Sequence, residues 1–253
     1  MVTVRDVYDY LDGIAPFSTQ MSFDNSGFLI GDPAAAVRHI GVCLDVTPRT
    51  AELAAEEQVD LMVTHHPVLF KARKQLLSTD PAVMLVRQGI AAIAAHTCFD
   101  AAAGGVNDVL ARLFSLSRVE AVALPDCPVP MVRVGFLPEA VPAAELAAEA
   151  AEILSAHVRW CDGGKAVETL AVCGGAGGDL VRDVAELGVD ALLTGDAGYH
   201  DFLDAEQAGL TLLAAGHFET ENPSMTSLAE KLREAFPDVQ VTLLQQQKTI
   251  HTI

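Results

Sequence analysis

The chain has 253 residues, a net charge of −18 and 51% hydrophobic residues. That length allows a sizeable core in one large domain or two small ones, and the acidic balance disfavours nucleic acid as a partner. No window approaches the roughly 20 uninterrupted apolar residues of a membrane span. The start Met1-Val2-Thr3-Val4-Arg5-Asp6 lacks the basic and apolar parts of a signal peptide, and the five cysteines form no CxxC pair. The expectation is a cytoplasmic protein with reduced thiols.

Val4, Val7, Leu11 and Ile14 recur three or four apart, which predicts an amphipathic helix to Ala15. Phe23 to Pro33 has turn formers at both ends and reads as a loop entering a short strand, with Asp24-Asn25 as ordinary turn chemistry. Ile40–Val46 reads as a strand, and Thr47-Pro48 opens a helix to about Gln58. Val59–Thr64 is the next strand, ending in His65-His66. Asp80-Pro81 opens a helix to Gln88, and Gly89–Ala95 is a strand ending in His96-Thr97-Cys98-Phe99-Asp100. A helix then runs from Gly104-Gly105 to Leu113. This strand–helix alternation predicts a largely parallel sheet with helices on its faces, where ligands sit beyond the carboxyl ends of strands.

Ala123–Pro130, with three prolines, has the composition of a connector. Met131–Leu137 reads as a strand, Pro142–Ala156 as a helix, Tyr199–Gln207 as a short helix and Leu210–Ala215 as a buried strand. Asn222-Pro223 starts a helix ending near Lys231 and Arg233, which puts His217 and Glu221 in the preceding loop rather than in a helical i,i+4 pair. Shifted by 130 positions, residues 41–66 match 171–196 at seven places without a gap: Val42, Cys43, Ala55, Glu56, Val59, Asp60 and Thr64. A looser echo pairs Gly89–Ala95 with Gly209–Ala215. The pattern suggests duplicated lobes of roughly 1–126 and 127–253.

Two adjacent histidines at a strand end serve no packing need. His65, His66, Asp100, His217 and Glu221 together offer the imidazole and carboxylate donors that suit zinc, iron(II) or manganese. Neighbours on an extended strand point opposite ways, so His65 and His66 reach a pair of ions only if the chain turns there. Taken singly, each histidine is more often an ordinary polar residue than a ligand, and His39, His157 and His251 are read so. Gly174 to Gly178 follows a strand and opens a helix, a geometry that holds a phosphate or merely turns the chain. Arg133 can reach an anion or be paired.

Phe23-Asp24-Asn25-Ser26-Gly27, Thr64-His65-His66-Pro67, Ala95 to Asp108, Thr194-Gly195-Asp196 with Tyr199-His200-Asp201, and Gly216 to Glu221 resemble, in order and over nearly the whole chain, the Nif-three-like dinuclear-metal family, also known as type 2 GTP cyclohydrolase I homologues. The resemblance implies an α/β fold of two similar intertwined three-layer α/β/α lobes with mostly parallel or mixed sheets, and a toroidal homohexamer. It implies two divalent metal ions per chain (zinc, iron or manganese) on His65, His66, Asp100, His217 and Glu221, with Glu221 as bridge. His96, Asp196 and His200 match cleft positions suited to handling protons. Phe23 stands where the family usually has tryptophan, and Cys98 where asparagine is common; the latter bears on the pocket beside Asp100. The implied activity is hydrolytic opening of a cyclic amide or amidine, such as the guanine imidazole ring of a nucleotide, by metal-activated water. The alternative is a non-enzymatic carrier of iron or zinc.

Overall fold

The computed structural model describes residues 1–125 and 127–250. The reading of His251, and Asp126 within the expected connector, lie outside the described residues. In chain order the elements are α1 (Val4–Ile14), β1 (Gly27–Ile30), β2 (His39–Cys43), α2 (Pro48–Glu56), β3 (Leu61–Thr64), α3 (Pro81–Gln88), β4 (Ala91–Ala94), α4 (Thr97–Ala101), α5 (Val106–Leu113), β5 (Ser117–Leu124), β6 (Cys127–Val141), α6 (Ala143–Leu154), β7 (Arg159–Cys161), β8 (Val167–Ala176), α7 (Val181–Glu186), β9 (Ala191–Asp196), α8 (Tyr199–Ala208), β10 (Thr211–Ala214), α9 (His217–Glu221), α10 (Pro223–Ala235) and β11 (Gln240–Leu243). They divide into two compact units, one of Met1–Ala103 with Met225–Ile250, the other of Gly104–Ser224. Against the expected lobes 1–126 and 127–253, the chain leaves the first unit at Ala103 and returns at Met225, because β11 pairs with β2.

The first unit holds a five-stranded sheet of order β1-β4-β3-β2-β11, parallel except for β1. β2, β3 and β4 are buried at every residue, as strands covered on both faces must be. Helix starts follow local chemistry. Thr3 and Asp6 form a reciprocal cap at α1, the Thr3 amide donating to the Asp6 carboxylate at 2.8 Å. Thr47 caps α2 ahead of Pro48. Between β3 and α3 the chain runs irregularly from His65 to Asp80.

The second unit holds a six-stranded mixed sheet of order β5-β6-β8-β9-β10-β7. Its core packs α5 and α6 against the sheet through Leu110, Phe114, Leu146, Ala150, Leu170, Val172 and Leu193. Within the expected connector Ala123–Pro130, the described residues extend β5 to Leu124 and start β6 at Cys127, with Leu124 opposite Cys127 in an antiparallel pair. Pro130 is tolerated in β6 because its pairing with β8 begins only at Arg133.

The two units share a register. Ile40 to Cys43 pair with Leu61 to Thr64, and Leu170 to Cys173 pair with Ala191 to Thr194, each residue displaced by 130. The Asp60 carboxylate accepts from the amides of Arg38 and His39, and that of Asp190 from Glu168 and Thr169, at the same offset. α4 and α9 correspond at an offset of 120. Among the described residues no helix is long and apolar enough to cross a membrane.

Candidate metal centre

In the first unit, β3 stops at Thr64, whose hydroxyl donates to the His66 carbonyl at 2.9 Å and bends the chain. The bend removes the strand alternation that would point two neighbours apart. The His65 and His66 rings lie 4.9 Å apart, and the His96 ring stands 5.1 and 5.3 Å from them. His65, His66 and His96 each present a ligand atom within 4.8 Å of the others, a set that can hold a metal ion.

Each ring is held by its other nitrogen. Nδ1 of His65 donates to the Ala95 carbonyl at 2.9 Å, that of His66 to Asp45 at 2.7 Å, and that of His96 to Asp24 at 2.9 Å. An Nδ1–H tautomer leaves Nε2 as the acceptor, the arrangement found around metal-ligating imidazoles. His65 Nε2 faces the buried Asp100 carboxylate at 3.5 Å. Two donors about 2.1 Å from one ion at tetrahedral or octahedral angles are about 3.0–3.4 Å apart, so this spacing fits a shared cation.

The residues that orient these rings were not all foreseen. Asp24 is no mere turn former: its carboxylate is shielded from solvent and accepts from His96, from the Thr97 amide at 3.1 Å, from the Thr97 hydroxyl at 2.5 Å and from the Ser26 hydroxyl at 2.9 Å. Burial alone would raise its carboxyl, but the bonds from His96, Thr97 and Ser26 outweigh that and hold it well below the usual carboxylate range. Asp45 is gripped on its far side by Gln246, whose amide oxygen accepts from the Asp45 amide at 2.9 Å and whose nitrogen donates to the carboxylate at 2.5 Å. Asp24 lay within the Phe23–Gly27 motif; no local pattern marked Asp45. Cys98 is buried, which pushes its thiol up to about 11, so it stays protonated.

In the second unit, His217 opens α9 and its Nδ1 donates to Asp196 at 2.7 Å, while Nε2 stands 3.2 Å from Glu221 one turn on. This corrects the expected loop. The Thr220 amide bonds to the Gly216 carbonyl at 3.1 Å and that of Asn222 to Phe218 at 2.9 Å, so a helical turn precedes Pro223. Lacking an N–H, Pro223 interrupts the hydrogen-bond ladder only at its own position, while Asn222 keeps helical angles (φ −57°, ψ −32°).

The glycine-rich turn has a task other than holding phosphate. The amides of Gly174, Gly175 and Gly177 donate to Asn107, Thr220 and Thr194 at 2.7, 3.1 and 2.9 Å. Gly175 adopts φ +68°, and a Cβ there would lie 2.2 Å from Glu221 Oε1, so the missing side chain leaves room for the buried carboxylate. His200 is exposed on α8 against the Tyr199 ring, without a hydrogen bond to Asp196, His217 or Glu221. Arg133 is buried and paired with Asp108. His39 is buried between the Glu57 carbonyl and the Thr242 hydroxyl, and His157 is exposed.

Two α/β units of common register, each ending its strands in imidazole and carboxylate donors, define an α/β protein whose His, Asp and Glu clusters can hold metal. The chain belongs to the Duf34/NIF3 (NGG1p interacting factor 3) family, whose model matches residues 2–250. It is 30% identical over 241 residues to the GTP cyclohydrolase 1 type 2 homolog of Clostridium acetobutylicum, covering 92% of this chain and 90% of that one. It is 33% identical over 237 residues to the protein of the same name in Streptomyces coelicolor, covering 88% and 83%. The fold matches the crystal structure of a Bacillus cereus protein related to NIF3 with a TM-score of 0.89 at 20% identity, covering 100% and 99%.

Proposed function

We propose that the two donor sets serve one dinuclear centre, with His65, His66, Asp100, His217 and Glu221 as ligands and Glu221 as the bridge, and that the protein is a metal-dependent hydrolase of a nucleotide or another cyclic amide or amidine. The observation that supports this reading is one geometry met four times. His65, His66, His96 and His217 each have Nδ1 tied to a carbonyl or carboxylate oxygen, which turns Nε2 to the donor side. Solvating an ordinary polar histidine requires no such repetition.

Divalent metal on these donors would supply Lewis-acid polarisation of the scissile group and lower the pKa of water. The chain's own residues would supply the rest. His96, fixed by an ionised Asp24, is suited to take and return a proton at Nε2, as an imidazole backed by a carboxylate does. Asp196 would hold the His217 ring in its ligating tautomer. His200 is given no role. The name shared by the curated relatives is consistent with ring hydrolysis, and assembly as a toroidal homohexamer is part of the same proposal.

Metal analysis joined to a turnover screen tests it. The wild type is expected to carry close to two ions per chain, and His65→Ala and Glu221→Ala to lose at least one each. Hydrolysis that survives complete metal removal overturns the reading. So does metal that passes to an apo-acceptor without any turnover, which would make the protein a carrier.

A further inference from the structure

We infer that the first unit carries, beside its histidine cluster, a recognition platform for a planar aromatic ring bearing an anionic group. Phe23 and Phe70 supply the ring surface, and Lys71 and Lys74 supply the charge. The chain has 10 phenylalanines, and among the described residues only Phe23 and Phe70 stand out as exposed, at 61% and 39%. Leaving two such rings in water forgoes burial that would stabilise the fold.

These rings are fixed rather than loose. Phe23 meets Phe70 edge-on at 6.4 Å, and Phe70 meets His96 edge-on at 5.9 Å. Asn25 Nδ2 donates to the Leu69 carbonyl at 2.5 Å, tying the two segments together, and Asp24 locks the first of them to His96 and Thr97. An aromatic step therefore runs from solvent to an imidazole of the cluster. A flat ring laid on it would present its edge to that imidazole at low cost in ordering.

Charge indicates what the ring carries. A chain of net charge −18 repels anions over most of its surface. Yet Lys71, Arg73 and Lys74 fall within four residues directly after Phe70. Arg73 is bonded to Asp80 at 3.1 Å and shapes the loop, while Lys71 and Lys74 are exposed. They sit on an irregular run from His65 to Asp80, and runs of that length are uncommon inside a compact unit unless they bind something or act as linkers. A local positive patch joined to an aromatic surface, in a molecule of opposite overall sign, complements an aromatic anion.

This inference rests on the proposed hydrolase only for the fate of the ring, so its test is made on metal-free protein. Calorimetry after chelation would compare a purine nucleoside 5′-monophosphate, the free nucleoside and ribose 5-phosphate. The monophosphate is expected to bind most tightly. Phe70→Ala should weaken both ring-bearing ligands about tenfold and spare ribose 5-phosphate, whereas Phe70→Tyr should restore them. Lys71→Glu with Lys74→Glu should weaken only the two phosphates and flatten their salt dependence. Unchanged affinity in Phe70→Ala, or no binding by wild type at millimolar ligand, overturns the inference. So does a change in oligomeric state on size exclusion in Phe23→Ala or Phe70→Ala, which would make the rings a contact between copies. Missing metal in the stoichiometry assay would sink the hydrolase and leave this result standing.

Discussion

The strand ends of the two units are the same backbone with different residues. At an offset of 130, His65 and His66 correspond to Gly195 and Asp196; at 120, His96, Thr97 and Asp100 correspond to Gly216, His217 and Thr220. The first unit places its imidazoles on the bend after β3, with Asp100 reached from α4. The second has glycine where the first has His65 and His96, and draws both its imidazole and its acid from α9. Asp196 stands at the position of a histidine in the first unit but acts on His217 as Asp24 and Asp45 act on His96 and His66. One scaffold thus builds two donor sets because the glycines of the second unit let α9 approach the strand end. What the two units keep in common is the strand register and the carboxylate clasp.

The largest effect is expected where that approach is closest. A Cβ at Gly195 would lie 2.6 Å from the Gly175 carbonyl oxygen and 2.8 Å from His217 Cα, and neither backbone atom can yield. Gly195→Ala should cost about 3 kcal/mol or more in thermal unfolding and lower bound metal together with it. Wild-type stability and metal content in this variant would mean that the two strand ends are interchangeable and that the glycine is incidental.

The orienting carboxylates divide the comparison next. The Asp24 side chain is 0% exposed and that of Asp196 53% exposed. Asp24→Ala strips several buried donors of their acceptor and should destabilise by about 2–3 kcal/mol, while Asp196→Ala should stay within about 0.5 kcal/mol. Asp196→Ala should weaken metal binding by roughly 10–100-fold, because it loosens the ligating His217, while Asp24→Ala, which loosens His96 beside the ligands, should weaken it by less. Chemical denaturation paired with metal titration separates the two: equal losses of stability, or full metal affinity in both variants, would refute the assignment.

How far residues alone reveal this arrangement differs between the two units. The parallel strands of the first were readable because each is a short buried apolar run between a proline-led helix start and a turn. The histidines at their ends drew notice because packing does not require them. β5 went unread: on this exposed strand, Ser117 to Leu124, only Leu124 is fully buried, so alternation is faint. α9 was hidden by Asn222-Pro223, which marks a true helix start but does not forbid a turn before it. Asp24 and Asp45 were opaque for a deeper reason. Asp24 bonds His96 72 residues away, and Asp45 bonds Gln246 201 residues away, and no local periodicity encodes such a partner. The family resemblance reached Asp24 through its motif, though not its task.

The finest prediction concerns the clasp the units share. Asp190 is held by the Thr169 and Glu168 amides and by Lys165 at 2.7 Å. Burial would raise its carboxyl, but the Lys165 ammonium and those amides bring it down to about 2. Its ordinary value is near 3.9, so the folded chain binds this proton less readily than the unfolded one. The stabilisation is therefore complete above about pH 5 and fades as the pH falls towards 2. Over that span Asp190→Asn should flatten the loss of stability of metal-free protein by about 2 kcal/mol relative to wild type. Asp60 grips the same two backbone positions in the first unit, with Arg38 at 3.8 Å in place of the close lysine. Lys165→Met should flatten the acid limb in the same sense as Asp190→Asn but by less, because the backbone amides still hold the carboxylate. A wild-type pH profile in Lys165→Met would mean that the amides alone set the acid response and that the lysine adds nothing to it.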